Sequence, residues 1–140
     1  GGARLMLTRG HPAPGVVVCT PCRHSREAQV DAAGMRGGAR LVAALKQLKD
    51  AEPRYAGIAV QEMACLFACQ DHCTVHLRAP GKVGYVMGRF RGDEESARAI
   101  LDYAALHAAS EHGRVPFSLW PEGVKGHFIT RTPPPGFVAE

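Results

Sequence analysis

Five cysteines, Cys19, Cys22, Cys65, Cys69 and Cys73, are the residues of this 140-residue chain whose type and spacing suit chemistry. They form two groups, Cys19-Thr20-Pro21-Cys22 and Cys65-Leu66-Phe67-Ala68-Cys69 running on to Cys73. An odd count does not close a disulfide framework, and gaps of two and three residues are how thiolates are set out for a metal or a cluster in a reducing compartment. Four thiolates suit a 2Fe–2S cluster, with two sulfurs on each iron, and a 4Fe–4S cluster draws on the same number. They also suit tetrahedral Zn. Taken alone, Cys19 and Cys22 also read as a redox-active thiol pair.

The elements that position these thiols follow from periodicity. Gly15-Val16-Val17-Val18 is a β-branched run that reads as a buried strand ending at Cys19. Thr20 to Gly38 reads as an irregular or partly helical connection, rich in glycine and charge. From Ala39 to Lys49 the residues Leu41, Val42, Leu45 and Leu48 form one apolar stripe, a helix that Glu52-Pro53 stops. Tyr55 to Met63 predicts a second strand delivering Cys65. Thr74 to Arg78 and Val83 to Phe90 predict a hairpin about Ala79-Pro80-Gly81-Lys82. Asp93 caps a second helix with Glu94 and Glu95 in its first turn, and Gly113 ends it.

The order β-α-β, β-β-α is the plan of the thioredoxin fold, an α/β arrangement with a four-stranded mixed sheet and two main helices. In a parallel β-α-β unit the two strand ends are neighbours, so Cys19/Cys22 and Cys65/Cys69 converge at the sheet edge where such folds place their sites. The division expected is a loose lead-in over 1–14, the domain over 15–113, and an extended, proline-rich C-terminal tail over 114–140 packed on it.

The segment Cys65-Leu66-Phe67-Ala68-Cys69, followed by a hairpin and a helix, resembles the thioredoxin-like 2Fe–2S ferredoxins, including ferredoxin-like subunits of NADH dehydrogenases and hydrogenases. Together with Cys19-Thr20-Pro21-Cys22-Arg23 and Cys73-Thr74-Val75 it more closely resembles a family of small bacterial proteins described as predicted metal-binding and assigned to the same ferredoxin-like fold. The resemblance spans about residues 15–135 and implies Cys19, Cys22, Cys65 and Cys69 as the ligands. It also implies an association with cobalamin biosynthesis and a possible homodimer. Two departures stand out: the gap between the first two cysteines is shorter than in the ferredoxin subunits, and Phe67 replaces the usual glycine.

Cys73 matches a position often held by proline at the start of the third strand. It reads as a fifth sulfur near the cluster, an exchange ligand, a ligand in place of Cys22, or a small buried apolar residue. His72 and His76 flank it, where a Rieske-type ligand is conceivable beside the plainer role of strand-face residues. Arg23, Arg26 and Lys82 read as a docking rim or as a solvated face.

Seventeen Lys and Arg against thirteen Asp and Glu give a net charge of +4, dispersed rather than blocked, and aromatic residues are only 6%. That balance argues against a nucleic-acid partner and suits an acidic redox partner protein. No apolar run approaches the length of a transmembrane helix, and the first residues lack a secretory leader's pattern. The expectation is therefore a cytoplasmic 2Fe–2S electron carrier rather than an enzyme. The alternatives are a Zn- or cobalt-binding structural or delivery protein, and a thioredoxin-like thiol–disulfide oxidoreductase.

Overall fold

The computed structural model describes residues 13–19, 34, 36–63 and 72–138. Five strands and two long helices are present: β1 Gly15–Cys19, α1 Gly37–Ala51, β2 Ala59–Met63, β3 Val75–Arg78, β4 Gly84–Met87, α2 Glu94–Ala109 and β5 Phe128–Thr132. The strands form one sheet in the order β2-β1-β3-β4-β5. β1 and β2 are parallel neighbours, and every other pairing is antiparallel.

Both helices pack on one face of this sheet. The α1 stripe of Leu41, Val42, Leu45 and Leu48 is buried against Val16 and Val18 of β1, Val75 and Leu77 of β3, and Ile100 and Leu101 of α2. Leu41 and Leu45 are wholly inaccessible to solvent, so each contributes about 2 kcal/mol or more of hydrophobic stabilisation. Arg36 provides α1 with no side-chain cap, whereas Asp93 accepts from the Ser96 N–H at 2.8 Å and caps α2. α1 runs out at Glu52 because Pro53 has no N–H to continue it. Pro53–Tyr55 then forms a 3₁₀ turn that buries Tyr55, whose hydroxyl donates to Asp102 of α2.

The sheet has five strands rather than the four expected, and the C-terminal tail supplies the fifth. Phe128–Thr132 pairs antiparallel with β4, with a bulge between Val86 and Met87. The driving force is aromatic: the Phe128 ring packs 4.6 Å from Trp120 and 5.4 Å from both Tyr103 and Tyr85. Trp120 anchors the approach by donating its indole N–H to the Val115 carbonyl at 2.8 Å. The strand expected over Tyr55 to Met63 is likewise shorter, because Tyr55 belongs to the turn and pairing begins only at Ala59.

Candidate metal centre

Cys19 is the last residue of β1 and is 3% exposed. The parallel register sets it opposite Met63, the last residue of β2. The two strands therefore end side by side, and the chain leaving Met63 reaches Cys65 two residues later. Cys22, Cys65 and Cys69 lie outside the described residues, so of the five candidate cysteines the structure places Cys19 and Cys73.

These two meet at the same end of the sheet. The Cys19 N–H donates to the Thr74 carbonyl at 3.0 Å, extending the β1–β3 ladder by one residue and seating Cys73 beside the end of β1. Cys73 is fully buried and packs in the cluster that includes Val75 and Leu77. Cys19 is buried too, but it follows Val18 on the opposite pleat from Val16 and Val18 and lies outside that cluster. Cys73 is thus part of the helix-side core cluster, and Cys19 is not.

The backbone around Cys73 is unusual. Cys73 has φ 49° and Arg89 has φ 64°, the two non-glycine residues in the left-handed region among the described residues. One hydrogen bond joins their surroundings, from the Arg89 N–H to the His72 carbonyl at 2.7 Å. A left-handed L-residue costs roughly 1 kcal/mol or more. Here that cost accompanies a clasp closing the end of the β3–β4 hairpin where Cys19 and Cys73 sit. The Arg89 guanidinium also donates to the Gly126 carbonyl at 2.8 Å, tying the clasp to the segment before β5.

The other candidates are distributed differently. His72 is half-buried beside Cys73. His76 lies in mid-strand, paired with Val17 and Val86, with its Nε2 3.4 Å from Thr132 Oγ1. Burial, and then the nearby Arg78, hold its imidazole below the usual pKa. Lys82 is far from the cysteines. It stands at the opposite end of the sheet, and its ammonium donates to the carbonyls of His107, at 3.3 Å, and Ala108 at the C-terminus of α2. Among the described residues, Arg89 and Arg91 are cations at the cysteine end, and sequence reasoning passed them over. Their signal was their place just past a strand that begins near the hairpin turn and so must end beside Cys73. Arg23 and Arg26 lie outside the described residues. Among the described residues no three His, Cys, Asp or Glu side chains gather as metal ligands.

Residues 16–134 match the profile of a family described as "Protein of unknown function (DUF1636)". The chain belongs to the DUF1636 family. No curated protein matches it. Among solved structures this DUF1636 chain is similar to a thioredoxin-like [2Fe-2S] ferredoxin from Aquifex aeolicus. The identity is 19% and the TM-score 0.55, over 91% of this chain and 100% of that one. That likeness establishes the thioredoxin-like ferredoxin fold. No described helix is long and apolar enough to cross a membrane.

Proposed function

We propose that this chain holds a 2Fe–2S cluster and passes single electrons between partner proteins. The observation that carries the reading is the shared ending of β1 and β2, which sets buried Cys19 against the start of the segment bearing Cys65 and Cys69. The donor set fits, since soft thiolates are the ligands such a cluster requires. Cys19, Cys22, Cys65 and Cys69 would hold it, with Cys73 a fifth sulfur nearby. The similar ferredoxin fold, whose Aquifex aeolicus representative is described as a [2Fe-2S] protein, supports the same assignment.

Bound there, the cluster supplies a one-electron acceptor and donor. The chain's own residues do the rest. Burial of Cys19 keeps water from its sulfur, and the clasp between His72 and Arg89 fixes the neighbouring turn. Arg89 and Arg91 are exposed at this end and present positive charge to an acidic redox partner. The carrier is cytoplasmic, is not itself a catalyst, and serves a reductase and an acceptor enzyme, with cobalamin biosynthesis the pathway context.

The test is the visible and EPR spectrum of protein purified without air, before and after dithionite. A coloured protein that gains one unpaired electron per chain on reduction is expected. Colourless protein without iron would end the reading, and Zn in its place would assign a structural or metal-delivery role to the same thiolates.

A further inference from the structure

The sheet face turned away from the helices carries a second feature, at the end remote from Cys19. Arg78 pairs with Gly15, the first residue of β1, whereas Cys19 is its last. Beside Arg78 a cavity of about 440 Å³ opens between the β3–β4 turn and the residues following β5. That volume suits a small molecule.

Its floor is built from His76, Gly84 and Thr132. Gly84 has no positive φ, so backbone conformation does not demand glycine there. Space does. A Cβ at this position would stand 2.6 Å from Thr132 Oγ1, 2.9 Å from the Leu77 carbonyl and 3.1 Å from His76 Nε2. The bare Cα leaves the imidazole and the hydroxyl facing an open recess.

One wall is Pro133, Pro134 and Pro135, with Pro80 opposite. Prolines have fixed φ and no N–H, so this wall is stiff, apolar and without donors. Among the described residues the charge on the lining is all of one sign: Arg78 and Lys82 contribute to it and no Asp or Glu does. Lys82 is committed to the end of α2. Arg78 is exposed and forms no ion pair among the described residues. Its planar fork matches a carboxylate or a phosphate with two parallel bonds.

We propose that this cavity binds a small organic anion, its carboxylate or phosphate paired with Arg78 and hydrogen-bonded by Thr132 and His76, and its apolar body resting on the prolines. The site is independent of the cysteine chemistry. It is tested by ¹H–¹⁵N NMR of the whole chain titrated with phenyl phosphate, benzoate and inorganic phosphate at constant ionic strength. Saturable shifts centred on Arg78, Gly84 and Thr132 are expected with phenyl phosphate or benzoate, and the tighter of the two identifies the head group. Arg78→Ala should weaken that binding about tenfold or more. Shifts that never saturate, or that are unchanged in both Arg78→Ala and Thr132→Val, would overturn the site. Inorganic phosphate binding as tightly as both organic anions would overturn the organic ligand.

Discussion

Cys19 and Thr74 share a backbone hydrogen bond of 3.0 Å, and through it the end of β1 is fixed beside Cys73. On the other flank of β1, the parallel register fixes Met63 and the approach to Cys65. β1 thus lies between the strand that leads toward Cys65 in sequence and the strand that Cys73 precedes.

The ligand assignment makes the cysteines unequal. Serine in place of Cys19, Cys22, Cys65 or Cys69 should each remove most of the bound iron. Cys73→Ala should keep it while lowering stability by about 1 kcal/mol, because Cys73 packs in the core cluster. Iron content and urea denaturation of the five variants check this. Iron lost from Cys73→Ala but kept by Cys22→Ser would move the fourth ligand to Cys73.

Gly113 follows α2 with φ 87°, and its N–H donates to Ser110 Oγ at 2.9 Å. A Cβ there would lie 2.5 Å from the Val83 carbonyl. Gly113→Ala combines left-handed strain with a backbone clash and should cost about 2 kcal/mol or more. A thermal midpoint equal to that of the parent chain would show that this turn adjusts freely.

The helix-side core should respond in the usual way to truncation. Leu45→Ala removes a wholly buried side chain between α1 and the sheet and should cost about 2–5 kcal/mol. Asp93→Ala removes the cap on Ser96 and should cost about 1 kcal/mol. Chemical denaturation of both variants gives the ratio, and a cap loss as large as the core loss would contradict the packing described.

His107 is fully buried, with its Nε2 2.7 Å from the Val83 carbonyl. Desolvation holds its pKa below the ordinary value, the Val83 bond opposes this, and Lys82 adds to it. His76 is lowered in the same sense. The unfolded chain therefore binds protons first as pH falls. Stability should be fully present above about pH 6.5 and decline below it toward the folded-state values, by up to about 1.4 kcal/mol per pH unit for each histidine. Urea midpoints measured across this range check the sign, and a rise in stability on acidification would contradict it.

The sequence made some of this architecture plain and hid the rest for physical reasons. The Leu41–Leu48 stripe and the Val16–Val18 run have unambiguous periods, so α1, β1 and their packing were legible, and with them the neighbouring ends of β1 and β2. Asp93 marked the start of α2 correctly. β5 was missed because the strand it pairs with, β4, and its core partner Tyr103 are distant in sequence, and Pro133-Pro134-Pro135 follows it. Phe128-Ile129-Thr130-Arg131-Thr132, rich in β-branched residues between Gly126 and Pro133, was the available signal. Of the two readings of Lys82, the docking rim is the one its position rules out; a one-dimensional reading does not show which end of a hairpin faces the cysteines. The left-handed turn at Cys73 was invisible, since nothing in the residue type announces it.

Iron and acid-labile sulfide, quantified per chain in protein made under iron-replete conditions and purified without air, test the central claim most directly. Two irons and two sulfides per chain are expected, from a cluster held where β1 and β2 end together. Protein that folds fully, as judged by its thermal transition, yet holds neither iron nor sulfide would contradict it.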